Sequence, residues 1–319
     1  MKVSLIATFM NEMRHLEEWW ESLLGQTRLP DEVVIVDGGS DDGTWEFLQS
    51  ANPPFTMRLE RYPGSNISAG RNRAVELASG EVLAVTDGGC VLRPDWLAEL
   101  TAPFELDASL QLVAGLYQPL PDDFFQRVSA CVTLPRLAEI KPERFLPSAR
   151  STAYRRGVWE EAGGYPEWLA FGEDMYFNHT WKRQGINYIV KKEAVVDWRM
   201  RPGLASFFRQ YYHYAWGDGR SGMYLKRHLI RYAVYAWGLG GAIPLGRKRW
   251  FWAVTLPAAA AYTGKRWLRI PAFFAGRPLV ERIAAVPTVP ALLLYMDSAK
   301  MVGYPAGIIA RLKAGGKRA

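Results

Sequence analysis

The chain has 319 residues, 49% of them hydrophobic and 22% charged, which excludes a disordered polypeptide and leaves enough apolar mass for one large domain with an appendage. Two cysteines, Cys90 and Cys131, exclude a disulfide framework and form no metal-ligand pattern with the four histidines, as expected in a reducing compartment. The net charge of +7 hides a division: residues 220–319 hold 17 Lys and Arg against only Glu281 and Asp297, whereas the first 219 carry 22 basic and 30 acidic residues.

The opening, Met1-Lys2-Val3-Ser4-Leu5-Ile6, enters a strand-like run directly and lacks the parts of a signal peptide, so a cytosol-facing protein is expected. That strand, Lys2 to Thr8, runs into Phe9-Met10-Asn11-Glu12, with Asn11 placed to cap the next helix. Leu16, Trp19, Trp20, Leu23 and Leu24 then recur at helical spacing and predict one buried face, closed by Gly25 and Pro30. Glu32 to Asp37 reads as a second buried strand ending in a carboxylate, followed by Gly38-Gly39 and a helix capped by Ser40. Strand, helix, strand, helix is the rhythm of a parallel sheet.

The run Asp37 to Thr44 reads either as a loop with capping acids or as part of a ligand site. It is no phosphate loop, because no Lys-Ser/Thr follows its glycines, and the chain has no Gly-x-Gly-x-x-Gly dinucleotide signature here. Met57 to Arg61 predicts a third strand, and Ser68 opens a helix, Ala69 to Ser79, with Arg71 and Arg73 in its first turn. A guanidinium there runs against the helix dipole and is easier to explain if it faces an anion, since Arg grips phosphate through a planar fork. Val82 to Thr86 is a buried strand that delivers Asp87 into a Gly88-Gly89 turn, at the strand end where open α/β sheets place ligand chemistry; alone, Asp87 reads equally as a turn cap. Pro94-Asp95-Trp96 starts a helix, a less regular section follows to about Pro147, and Gln118 to Asp123 reads as a loop within one domain. Glu173 and Asp174 open a helix running to about Gln184, where adjacent acids commonly serve the dipole.

The ordered set Asn11-Glu12, Asp37 with Ser40-Asp41-Asp42-Gly43-Thr44, Gly70-Arg71-Asn72, Thr86-Asp87-Gly88-Gly89-Cys90, Gly163-Gly164-Tyr165 and Gly172-Glu173-Asp174 resembles glycosyltransferase family 2 over roughly residues 1–216. The resemblance implies an α/β, GT-A fold, a Rossmann-like, mostly parallel sheet flanked by helices, and an inverting transferase using a nucleotide-sugar donor. It implies that Thr8, Asn11, Glu12, Asp37 and Arg71 contact the donor nucleotide, that Asp87 holds a divalent metal, Mg²⁺ or Mn²⁺, and that Asp174 is the general base with Glu173 beside it. Arg150, Gln210 and His213 are candidate acceptor or diphosphate contacts. Two positions depart from the family pattern. Gly89 stands where a second metal-binding Asp belongs, and Gln210-Tyr211-Tyr212-His213-Tyr214 is a degraded form of the Gln-x-x-Arg-Trp motif of processive members, which points to single-sugar transfer. His213 alone reads as a residue of an aromatic helix face.

The chemistry agrees with the resemblance. Leaving-group charge on a diphosphate is neutralised by a hard divalent ion, and an attacking hydroxyl needs a positioned carboxylate. Past Gly219 the uncharged runs 232–246, 250–264 and 283–296 are shorter than the roughly 20 residues of a spanning helix, carry prolines, and are flanked by Arg247-Lys248-Arg249 and Lys265-Arg266. Residues 217–319 are therefore expected to be helical and to lie on an anionic membrane at its cytoplasmic face, near a lipid-linked or glycan acceptor. Buried helices of an ordinary subdomain are the alternative, and nucleic acid fits the alternation of basic and apolar runs poorly. Two other functions remain: a nucleotidyltransferase, which lacks its basic loop near the first strand, and an inactive glycosyltransferase-like scaffold, favoured by Gly89.

Overall fold

β1 (Val3–Phe9) and β2 (Glu32–Asp37) are apolar along nearly their whole length because both faces of the sheet are covered there, as a parallel sheet between helices requires. In the computed structural model, which describes residues 1–315, α1 (Met13–Leu24) separates them, and α2 (Thr44–Ser50), β3 (Thr56–Arg61), α3 (Ile67–Leu77) and β4 (Val82–Val85) continue the alternation. The chain then forms β5 (Cys90–Leu92), α4 (Trp96–Leu106), β6 (Leu112–Leu120), α5 (Phe124–Thr133), β7 (Thr152–Arg155), α6 (Arg156–Ala162), α7 (Glu173–Arg183) and β8 (Tyr188–Arg199). One eight-stranded sheet results, in the order β3-β2-β1-β4-β7-β6-β8-β5. Its first four strands are parallel; β7 runs antiparallel to β4 and β6, and β5 antiparallel to β8, so the sheet is mixed.

Local capping differs from the sequence reading in three places. Asn11 has φ 58°, Glu12 holds the cap position of α1, and the Asn11 side chain instead accepts from the Asp41 backbone N–H at 3.0 Å. Ser40 is drawn back to Asp37, and the start of α2 is held by Asp42, which accepts from both the N–H and the hydroxyl of Thr44. Asn66, not Ser68, caps α3 by accepting from Ala69. On α1, Leu16, Trp19, Trp20 and Leu23 are buried as the periodicity predicts, while Leu24 is exposed.

The sheet belongs to a unit of Met1–Leu120 and Leu137–Arg199, with a core that joins Ile6, Val34 and Leu83 to Tyr154, Phe177 and Trp181. A second unit takes Pro121–Arg136 and the chain from Met200 onward. Gln118–Leu120, expected as a loop, are the last residues of β6, and the chain passes to the second unit directly after them, because the buried face of α5 packs with helices from the end of the chain. Those helices are α8 (Leu204–Ser221), α9 (Leu225–Tyr235), α10 (Ala242–Leu245), α11 (Arg249–Trp267), α12 (Ile270–Phe273) and α13 (Leu279–Lys313), with a π-helical turn at Ala236–Gly240.

Within this second unit α8 runs unbroken through Gly217 and Gly219. A Cβ on Gly219 would stand 2.2 Å from the Tyr304 carbonyl, and one on Gly303 or Gly307 would stand 2.3 or 2.1 Å from the Tyr212 or Trp216 carbonyl. The two helix backbones therefore touch, as small residues permit.

The prolines of α13 do not break it. Proline removes the hydrogen bond to the carbonyl four residues back, and two of the carbonyls so freed find side-chain donors. Val286, released by Pro290, accepts from the Trp267 indole at 2.9 Å, and Met301, released by Pro305, accepts from the Tyr232 hydroxyl at 2.7 Å. The run expected to stop at 14 residues is thus part of a 35-residue helix, long and apolar enough by length and composition to cross a membrane.

Candidate active site

Because β1 is parallel to both β2 and β4, the ends of these strands deliver Thr8, Asp37 and Asp87 to one edge of the sheet. Glycines let the neighbouring pieces close in. A Cβ on Gly70 would meet the Thr8 methyl at 3.0 Å, and one on Gly88 would lie 2.5 Å from the Phe9 ring and 3.1 Å from the Glu12 side chain, so the Asp87 turn rests against Phe9 and Glu12. The Cys90 N–H closes that turn on the Asp87 carbonyl at 3.2 Å. Burial pushes the Cys90 thiol up to about 12, which leaves it protonated and unreactive.

The Asp87 carboxylate is not spent on its own turn. Arg71, 2% exposed, donates to it at 2.7 Å and to Glu173 at 2.5 Å, joining the end of β4 to the first turn of α7. Arg71 thus faces two carboxylates of the chain itself, where its place at a helix start had suggested a phosphate. Burial drives the Glu173 carboxyl up to about 7, with Arg71 opposing the rise and the Asp174 charge adding to it.

Asp174 stands next to Glu173, after Gly172 turns the chain with φ 77°. One Asp174 oxygen accepts from the Met175 N–H at 2.8 Å and the other from the Ser148 hydroxyl at 3.4 Å. Ser148 in turn accepts from Arg150 at 2.7 Å, and Arg150 Nε lies 3.9 Å from the second Asp87 oxygen. Arg150 is held over the Trp198 ring at 4.2 Å and the Tyr117 ring at 5.2 Å. Asp87, Glu173, Asp174 and Arg150 thus form one connected constellation.

Asp37 is fully buried, and its carboxylate accepts from the Gly39 and Ser40 N–H groups and from the Ser40 hydroxyl. It shapes the loop beside Asn11, whose N–H donates to Ser40, and Glu12, whose N–H donates to Thr44. Gln210 and His213 lie on α8 in the second unit. The Gln210 amide donates to the Tyr214 hydroxyl, and burial, with the Arg209 charge, holds His213 below the ordinary imidazole value.

Sequence reasoning overlooked Ser148, Tyr117 and Trp198. Only the position of Ser148 two residues before Arg150 offered a local sign; the two rings come from distant strands. Asn72, recognised within the Gly70-Arg71-Asn72 motif but given no role there, is buried and ties α3 to the Gly163–Glu167 loop through the Tyr165 carbonyl and N–H and the Glu167 carboxylate. Among the described residues no group of three His, Cys, Asp or Glu is placed to hold an ion by itself.

The mixed sheet flanked by helices, with Asp87 at the end of a parallel strand joined through Arg71 to the first turn of α7, has the GT-A fold. The solved mannosyltransferase PcManGT from Pyrobaculum calidifontis, in complex with GDP-Man and Mn²⁺, aligns with 99% of this chain and 88% of its own at TM-score 0.53 and 20% identity. The family description Glycosyl transferase family 2 matches residues 4–162, about half of the chain. Relatives include glycosyltransferase AglE of Haloferax volcanii, 23% identical over 76% of this chain and 81% of that protein. Another is the succinoglycan biosynthesis protein ExoA of Rhizobium meliloti, 26% identical over 71% of each. The chain belongs to glycosyltransferase family 2 and is a glycosyltransferase.

Proposed function

We propose that this protein is an inverting, metal-assisted transferase that moves one sugar from a nucleotide-sugar donor to the hydroxyl of a lipid-linked or glycan acceptor at the cytoplasmic face of a membrane. The observation that carries the reading is the connected set of Asp87, Arg71, Glu173, Arg150, Ser148 and Asp174 at the edge where the parallel strands end. Asp174 takes the proton of the acceptor hydroxyl. The freed oxygen forms its bond to C1 from the face opposite the diphosphate, the C1–O bond breaks, and its electron pair leaves with the diphosphate.

Asp87 is the residue that would hold the metal, together with donor phosphate oxygens. Mg²⁺ commonly takes one or two carboxylates and completes its shell with phosphate and water, so the lone Asp87 carboxylate fits without a second protein acid. Such an ion supplies charge neutralisation of the leaving diphosphate. Arg150, held beside Asp87 by its aromatic partners, contributes a second cation on the same side, and Arg71 keeps Asp87 and Glu173 in position.

The apolar helices from residue 217 onward, 17 basic residues against two acids after residue 219, and the length of α13 support membrane association of the second unit. The relation to a succinoglycan biosynthesis protein supports a glycan acceptor.

The test is a thermal-shift screen of nucleotide sugars with Mg²⁺ or Mn²⁺, followed by NMR of the anomeric configuration of the product. A ligand at 100 times its dissociation constant stabilises by about 2.7 kcal/mol. A chain that binds and hydrolyses none of them is the inactive scaffold that Gly89 favours, and retention of configuration would overturn the inverting step.

A further inference from the structure

We propose that residues 236–252, the π-helical turn, α10 and the first residues of α11, form the tip that enters an anionic lipid bilayer, a refinement that rests on the membrane association proposed above. The tip is built around Phe251, fully buried against the rings of Trp237 at 5.5 Å and Trp252 at 5.1 Å. Outside that small core the apolar side chains face outward: Ile243 is 90% exposed, Leu239 64% and Trp250 51%. Exposure of this much aliphatic and indole surface on so short a segment marks an interaction site.

Two further features select lipid as the occupant. The indole N–H groups of Trp237 and Trp252 already have partners, the Thr255 hydroxyl at 3.1 Å and the Gly246 carbonyl at 2.8 Å, so these two rings can enter an apolar layer without an unpaired donor. Arg247-Lys248-Arg249 stands between the two apolar halves, and the sequence has no Asp or Glu between Asp218 and Glu281 to neutralise it locally. Exposed cations that adjoin exposed aliphatic side chains in sequence match lipid phosphates lying above acyl chains. Another exposed apolar stretch, Leu279, Val280 and Ile283 at the start of α13, differs in charge, because Arg277 there is paired with Glu281 at 2.7 Å.

The experiment is co-sedimentation of the full chain with vesicles of phosphatidylcholine mixed with phosphatidylglycerol, compared with phosphatidylcholine alone. The intact protein is expected to sediment with the mixed vesicles and to be released by salt. The double variant Leu239→Glu, Ile243→Glu is expected to bind about tenfold or more weakly, since each change puts a charge where an apolar side chain would be buried. Gln at Arg247, Lys248 and Arg249 together is expected to abolish the preference for phosphatidylglycerol, whereas Leu279→Glu is expected to leave binding unchanged. All these positions are exposed, and circular dichroism checks the fold of each variant. If the intact chain binds no vesicle, membrane association itself falls and the tip with it. If the intact chain binds and the double variant binds equally well, or if Leu279→Glu releases the protein instead, membrane association stands and the assignment to this tip is overturned.

Discussion

Arg71 on α3 holds Glu173 on α7 through a 2.5 Å hydrogen bond across 102 residues of sequence. The same guanidinium reaches Asp87, so one side chain fixes the distance between the end of β4 and the first turn of α7. Removing it leaves two carboxylates facing each other with no cation between them, one of them buried. Arg71→Ala is expected to lower stability by about 3–5 kcal/mol in urea unfolding and to abolish transfer. Arg71→Lys keeps the charge but loses the fork, and is expected to fall between the two. Equal midpoints for Arg71→Ala and the parent would show that the pair does not support the fold.

Glu173 carries a pH signature. Its folded value is raised by burial from 4.5 to about 7, so the native state holds the proton more tightly than the unfolded chain does. The stability this group contributes is complete below 4.5 and is lost as pH rises through about 7. Glu173→Gln, which stays neutral, is expected to flatten the dependence of melting temperature on pH across that window. Parallel slopes for variant and parent would contradict the shift.

Asp174→Asn keeps the shape of the site and removes the carboxylate proposed as the base. Donor binding by thermal shift should persist while transfer falls by about 10²–10⁴. Asp87→Ala should instead remove the metal-dependent part of donor binding, measured by titrating Mg²⁺ or Mn²⁺ against a constant donor concentration. If Asp174→Asn transfers at the parent rate, the proton goes to another group.

Much of this site was legible in the sequence because its acids sit where a strand or a helix begins or ends, and those positions follow from apolar runs and glycines. The partners of those acids were not legible. Asp37 has the same sequence signature as Asp87, a buried strand followed by two glycines, yet Asp37 hydrogen-bonds its own loop, with Arg61 of β3 3.7 Å away, while Asp87 reaches Arg71 of α3 at 2.7 Å. The difference depends on which side chain approaches from elsewhere in the chain. β6 was missed because Gly115 and Pro119 look like breakers. In the sheet, a Cβ on Gly115 would lie 2.0 Å from the Ser151 hydroxyl and 2.7 Å from the Ala194 carbonyl, and the register shifts beside it, so the glycine marks a close approach in a continuing strand. The prolines of α13 misled for a related reason, since the donors that compensate them come from other helices.

Gly89 occupies the place of the family's second acid, and a Cβ built there meets nothing within 4 Å. The space to restore a carboxylate is therefore present. Gly89→Asp is expected to fold with little change in stability and to bind Mn²⁺ more tightly than the parent, by about tenfold for one added hard ligand. Isothermal titration with Mn²⁺ in the presence of the nucleoside diphosphate reads this out. Unchanged affinity would mean that the turn directs residue 89 away from the ion.

The compensated prolines make the last prediction, and it concerns the second unit alone. Tyr232→Phe and Trp267→Phe each remove one donor while keeping a ring, so the Met301 and Val286 carbonyls lose their side-chain partners. The loss is expected to cost about 1–3 kcal/mol at the part-buried Tyr232–Met301 pair and less at the exposed Trp267–Val286 pair. Replacing the proline as well should recover part of that cost, because Pro305→Ala or Pro290→Ala restores a backbone N–H to the same carbonyl. The double variants Tyr232→Phe with Pro305→Ala, and Trp267→Phe with Pro290→Ala, should therefore unfold at higher temperature than the single aromatic variants. Additive losses in those pairs would show that the side-chain donors and the prolines act independently, and the account of how α13 stays unbroken would fail.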